Sequence, residues 1–182
     1  MSTTELTAAV PTGTWTSDPV HSTFGFSVKH MVVATFRGSV TDFDVTMTGA
    51  EDGTGSIEAT GRLASVVTAD ENLTGHIQSP DFFDTQRFPE ARYVSHEITR
   101  AGEYVVVNGE LSLKGVTHPL ELRGTLVGPV VGLGEVEKIG VELEGVIDRT
   151  EYGLSWNAPL PTGGFAVGND VKLTAHLELG KV

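Results

Sequence analysis

The stretch V-K-L-T-A-H-L-E-L at 171–179 puts Val171, Leu173, Ala175, Leu177 and Leu179 on one side of an extended chain and Lys172, Thr174, His176 and Glu178 on the other. Side chains of a strand alternate between its faces, so a period of two specifies a sheet with one apolar and one wet face. The same rhythm runs through V-E-L-E-G at 141–145, where Glu142 and Glu144 oppose Val141, Leu143 and Gly145. It recurs in T-F-G-F-S-V-K-H at 23–30, with Phe24, Phe26, Val28 and His30 on alternate positions. With 22 glycines as punctuation, candidate strands fall at 21–30, 36–47, 55–67, 91–98, 103–113, 119–127, 138–148 and 170–179. Trp15 and Thr16 either begin the first strand or cross the base of the sheet. One-sided strands with short connections pair antiparallel. Eight of them can roll into a closed barrel with no exposed edge. The expected fold class is therefore all-β, an eight-stranded antiparallel barrel.

Two segments break the rhythm. In T-A-D-E-N-L-T-G-H-I-Q-S-P-D-F-F-D at 68–84, Thr68 and Glu71 have the spacing of a capping box. Leu73 and Ile77, four apart, share a helical face. This predicts a short helical insert between the third and fourth strands, with Phe82 and Phe83 anchoring it to the barrel. The second segment, 149–169, is rich in Gly and Pro yet carries Tyr152, Leu154, Trp156, Leu160 and Phe165. Long irregular loops in compact domains are often functional. Residues 1–13 are small and polar and predict a flexible N-terminal arm ahead of a single domain over 14–182.

Composition removes several function classes. The net charge of −12 shows no basic footprint for nucleic acid. The absence of cysteine removes disulfides, thiol nucleophiles and thiolate metal sites. Six histidines are present, but no two have i,i+4 spacing and no His-x-His occurs, so the usual local metal pairs are missing. There is no G-x-S-x-G, and G-L-G-E-V-E at 132–137 lacks the third glycine of a dinucleotide fingerprint. No cofactor is implied. The N-terminus shows no basic start followed by an apolar run, which predicts a cytoplasmic protein unless a signal has been removed.

The order of D-P-V-H-S-T-F-G-F-S-V-K-H-M at 18–31, F-R-G-S-V-T-D-F-D-V-T-M at 36–47, T-A-D-E-N-L-T-G-H-I-Q-S-P-D-F-F-D-T-Q-R-F-P-E-A-R-Y-V-S at 68–95, G-E-L-S-L-K-G-V-T-H-P-L-E-L at 109–122, D-R-T-E-Y-G-L at 148–154 and G-N-D-V-K-L-T-A-H-L-E-L at 168–179 resembles the YceI-like family. The resemblance covers roughly residues 14–180. It implies a lipocalin-like barrel with a long internal cavity open at one end, and a long-chain lipid as partner: an isoprenoid, a quinone tail or a fatty-acid-like molecule. A peripheral membrane contact and a homodimer are both compatible with it. Two features depart from the family pattern. Gly38-Ser39-Val40 stands where an aromatic often follows an R/K-G turn, and the export signal of many members is not seen.

The candidate ligand-binding wall consists of Phe24, Phe26, Val28, Phe36, Leu143 and Leu173, with Leu73, Ile77, Phe82 and Phe83 from the insert. Trp156 is placed over an opening. His30 and Arg149 are candidates for a polar headgroup, since a guanidinium suits phosphate or carbonyl oxygens. Small inward residues such as Gly145 and Ala175 are expected to leave room, and His76 is expected to face solvent. The expected function is non-catalytic binding, storage or transport of a hydrophobic lipid. The alternative is a barrel enzyme on a small hydrophobic substrate, with His30 as general acid or base.

Overall fold

The structure is a computed structural model and describes residues 8–182. Its strands are β1 (Gly13–Ser17), β2 (Thr23–His30), β3 (Ala34–Val40), β4 (Phe43–Gly49), β5 (Gly55–Arg62), β6 (Val66–Val67), β7 (Glu90–Ala101), β8 (Tyr104–Leu113), β9 (Val116–Val131), β10 (Glu137–Asp148) and β11 (Val167–Lys181), with one α-helix, α1 (Glu71–Gln78), and three short 3-10 turns among the described residues. All pairings are antiparallel. The strands form a closed barrel of eight staves. Three staves are each broken once: β1 with β2, β3 with β4, and β5 with β6. One edge of β11 pairs with β10 throughout. Its other edge pairs with β2 through Val171↔Val28 to His176↔Thr23, then with β1 through Leu179↔Ser17 to Lys181↔Trp15. The helix lies between the third and fourth staves, as the sequence predicts.

Alternation decides which face is buried. On β10, Ile139, Val141, Leu143 and Ile147 are buried while Glu142, Glu144 and Val146 are exposed. The half of the barrel that contains β1 is packed solid. There Val10, Trp15, Met47, Val107, Leu126, Ile139, Val141 and Leu179 are at most 1 % exposed. Each such side chain contributes about 1.5–3 kcal/mol by leaving water.

The N-terminal segment differs from the expected 1–13 arm. Residues 1–7 lie outside the described residues, but Ala9 and Val10 are buried and seal the packed end. Ala9 donates its N–H to the Gly53 carbonyl at 3.0 Å, and the Trp15 indole donates to the Pro11 carbonyl at 2.8 Å. Gly49 and Gly55 make the seat: a Cβ on Gly49 would lie 2.2 Å from the Pro11 oxygen, and one on Gly55 would lie 2.5 Å from a Val10 methyl. The hydrophobic pattern here is too short to read, because two residues cannot show a period.

Tyr93 ties β7 to β9 over the intervening β8. Its hydroxyl donates to the Leu120 carbonyl at 3.0 Å, and its ring lies over Gly109, where a Cβ would stand 2.7 Å from Cζ. Burial, assisted by Glu121, pushes the phenol upward from its ordinary value.

Two outcomes are expected. Val10→Ala removes two buried methyl-sized groups and lowers stability by about 1.5–3 kcal/mol, read from the denaturant midpoint; no change would restore a free arm. In the second, an unfolded tyrosine ionises near pH ~10 while the buried Tyr93 stays protonated. Its contribution is therefore whole below that pH and lost as pH rises above it. Tyr93→Phe should make the alkaline fall in stability shallower, and an unaltered slope would refute the burial effect.

Candidate hydrophobic-ligand site

The half of the barrel that contains β2 encloses a cavity of about 530 Å³. This lies within the roughly 300–1,000 Å³ of small-molecule sites. The boundary between packed and hollow halves is read along each strand. Leu173, Ile147, Leu111 and Ala91 line the cavity, whereas Leu177, Leu143, Val107 and Tyr93 further along the same strands are buried in the packed half. Along β2 the lining runs from Phe24 to His30, a depth of about 20 Å at the usual rise per residue.

The sequence-predicted residues fall as follows. Phe24, Phe26 and Val28 on β2, Phe36 on β3, Leu173 on β11, Leu73 and Ile77 on α1, and Phe82 and Phe83 after it all line the cavity. Trp156, His30 and Arg149 line it as well. Leu143 does not. It is buried in the packed half, opposite Ala175, four residues along β10 from Ile147, which does line the cavity. Alternation assigned it the correct face but carries no information on depth. Gly145 also fails to open space, since a Cβ there would meet the Leu122 side chain at 2.7 Å and the Glu121 carbonyl at 2.9 Å.

The cavity wall is a sheet on most sides and a helix on one. β3 pairs with β6 only at Ser39 and Val40, so its edge from Ala34 to Gly38 lacks a strand partner there among the described residues. The insert fills this gap. Its helix is capped by Asp70, whose carboxylate accepts from the N–H groups of Asn72 (2.9 Å) and Leu73 (3.1 Å). The expected Thr68–Glu71 box is not formed; Thr68 instead hydrogen-bonds Thr74 and the Asp70 carbonyl. Phe83 meets Phe26 edge-on at 6.1 Å between ring centroids. Phe26 in turn lies over Gly38 of β3, where a Cβ would stand 2.4 Å from its ring. A glycine directly opposite the phenylalanine leaves room for the end of its ring over β3.

Polar groups gather at the mouth. Lys29, His30 and Thr35 come from the β2–β3 hairpin, and His76 from α1. His76 does not face solvent as expected. Its ring packs against Phe82 (5.0 Å) and Trp156 (4.7 Å), and its Nε2 lies 3.0 Å from the Asp81 carboxylate. These rings join the insert to the long loop. Met31, Leu63, Leu154, Ala166 and Val171 also line the cavity, beyond the wall the sequence predicts. Val171 was legible from its alternation with Leu173; the loop residues gave no periodic signal.

Arg149 is neither a surface residue nor a free headgroup ligand. It is 4 % exposed and donates Nε–H to the Gly168 carbonyl (2.7 Å), Nη1 to the Leu154 and Trp156 carbonyls, and Nη2 to the Val167 carbonyl (3.3 Å). Burial pushes its pKa down, opposed by Asp148. The fork thus pins both ends of the 153–168 loop. Asn157 adds to it, with Nδ2 donating to the Val167 carbonyl at 2.7 Å and Oδ1 accepting from the Val167 N–H at 3.0 Å. His30 makes no ion pair with a carboxylate among the described residues.

A closed antiparallel barrel, half filled by its own side chains and half hollow with an apolar lining, is the class of protein this geometry defines. A family model for the YceI-like domain matches residues 15–179, and the chain belongs to that family. It is 34 % identical over 170 residues to the UPF0312 protein SA2479 of Staphylococcus aureus, covering 90 % of this chain and 95 % of that protein. The fold is shared with BcnA of Burkholderia cenocepacia (TM-score 0.75, 21 % identity, 89 % of this chain and 98 % of that one). It is also shared with a polyisoprenoid binding domain from Saccharophagus degradans (TM-score 0.63, 14 % identity, 92 % and 98 %).

Replacing Arg149 with Met leaves its backbone acceptors unpaired. A stability loss of about 2–4 kcal/mol is expected, with faster amide exchange confined first to 153–168. Unchanged exchange in that loop would show that the fork does not hold it.

Proposed function

We propose that this protein binds a single long hydrophobic chain of the isoprenoid or acyl type, non-catalytically, with the chain in the hollow half and its polar end at the mouth. The observation that carries the reading is the size of the apolar hollow. At about 24 cal/mol per Å³, a dry void of 530 Å³ would cost about 13 kcal/mol. That equals the whole net stability of a typical domain, about 5–15 kcal/mol. A guest that fills the space relieves that cost. Water finds few partners among Phe24, Phe26, Val28, Ile147 and Leu173, whereas each methylene of a guest gains about 0.8 kcal/mol there. Ten methylenes would gain about 8 kcal/mol, which falls inside the range of about 4–15 kcal/mol that association costs.

The polar groups fit the same reading. Arg149 is committed to backbone carbonyls and His76 to Asp81, so Lys29, His30 and Thr35 are the polar groups left at the mouth to meet a headgroup. The polyisoprenoid named for the Saccharophagus degradans domain is consistent with this ligand class.

Native mass spectrometry of protein purified from cells tests the proposal directly: a carrier emerges with a lipid bound. Phe26→Arg should lose that lipid while keeping the far-ultraviolet signature of the barrel. Leu173→Trp, which fills the hollow with an apolar group, should lose it too. Full retention in both folded variants would overturn the reading.

A further inference from the structure

We infer that the cavity mouth docks on an anionic lipid surface, led by the apolar tip of the β2–β3 hairpin at Met31–Val33 and the neighbouring Phe165. The inference rests on the lipid-binding reading above and adds the surface from which the chain is exchanged. Four observations meet at this place.

The tip is apolar and exposed. Val32 is 69 % exposed, Val33 87 % and Phe165 60 %. The two segments touch: the Met31 N–H donates to the Ala166 carbonyl at 2.8 Å, and His30 pairs with Val167.

The tip is also built against local preference. Met31 (φ +54°) and Val32 (φ +67°) both sit in the left-handed region. Hairpin loops place Gly, Asn or Asp there, and a β-branched residue is an outlier. An ordinary solvent-facing turn has no reason to carry Val at that position, whereas a turn that enters an apolar medium does.

Charge follows the same geography. In a chain of net charge −12, neither 19–41 nor 152–169 contains a single Asp or Glu. The hairpin instead carries Lys29 and Arg37, neither of which forms an ion pair among the described residues. Basic residues beside an apolar wedge are attracted to anionic headgroups. The insert, by contrast, carries Asp70, Glu71 and Asp81, so the docked face is the hairpin and loop side. The other exposed apolar tip, at Val130, Val131 and Leu133 between β9 and β10, is flanked by Glu135 and Glu137 and lacks this complementarity.

Finally, the tip is continuous with the hollow. Met31, Lys29, His30 and Trp156 line the cavity, so a chain leaving a bilayer under the tip enters it without crossing water.

The test is co-sedimentation of the full chain with vesicles of phosphatidylcholine alone and of equimolar phosphatidylcholine and phosphatidylglycerol. Binding to the anionic vesicles should be about tenfold tighter and should weaken with salt. Arg37→Glu should remove the preference. Val33→Asp and Val32→Asn should each lower vesicle binding about tenfold, because a charge or amide must be buried in the interface. None of these three residues lines the cavity, so uptake of the isoprenoid alcohol farnesol from dilute solution should be unaltered. Val32→Asn suits a left-handed residue and should melt at the same temperature or higher; a lower melting temperature overturns the reading of the turn. Equal binding to both vesicle types, or undiminished binding by Val33→Asp, overturns docking. So does a dimer in solution that Val33→Asp dissociates in a protein with no vesicle affinity. If the parent protein binds anionic vesicles but takes up no farnesol, the ligand assignment fails while docking stands.

Discussion

One edge of β11 is shared by two strands, and the division of the barrel into a solid half and a hollow half follows from that sharing. Where the edge meets β1, the interior is filled by Trp15, Met47 and Leu179. Where it meets β2, the interior is open. The chain between β1 and β2 has to leave the sheet and return without orphaning backbone groups. Ser22 and Glu178 satisfy the break: the Ser22 hydroxyl donates to the Glu178 carbonyl (3.3 Å) and accepts from the Glu178 N–H (3.1 Å), and Asp18 N–H donates to the same carbonyl at 2.8 Å. Stability and capacity are thereby separated along one stave. The packed half secures closure and lets the other half remain unfilled.

The hollow half is bounded by elements of different stiffness. β10 and β11 are linked by an unbroken ladder from Lys138↔Gly180 to Asp148↔Asp170. The insert is held by side chains instead: Gln78 donates to the Ala64 carbonyl at 3.0 Å, Lys114 to the Pro80 carbonyl at 3.0 Å, and the rings of Phe83, His76 and Phe82 complete the contact. Exposed side-chain ties open at lower free energy than a sheet ladder. The wall that seals the unpaired edge of β3 is thus the wall that yields first.

How much of this was legible depended on whether a signal was local and periodic. The eight staves were readable because alternation in segments such as 141–145 and 171–179 leaves only one face to bury. The helix was readable from Leu73 and Ile77, but its cap was misplaced, because Thr68 and Asp70 both carry capping oxygens and only the local backbone path decides between them. Leu143 was given the right face and the wrong half, since depth in a barrel is set by neighbours distant in sequence. Arg149 was least legible. Its partners are carbonyls of residues 154, 156, 167 and 168, and a main-chain acceptor has no sequence identity to read.

Arg149 also shows why a charged residue can sit beside an apolar cavity without specifying a charged ligand. A buried cation is tolerated when its donors are met. Here the carbonyls that meet them belong to the loop that completes the cavity mouth, so the charge is used to order backbone. Trp156, whose carbonyl Arg149 engages at 3.0 Å, is thereby set against His76 and Phe82 on the insert. The aromatic closure of the mouth therefore depends on a polar interaction beneath it.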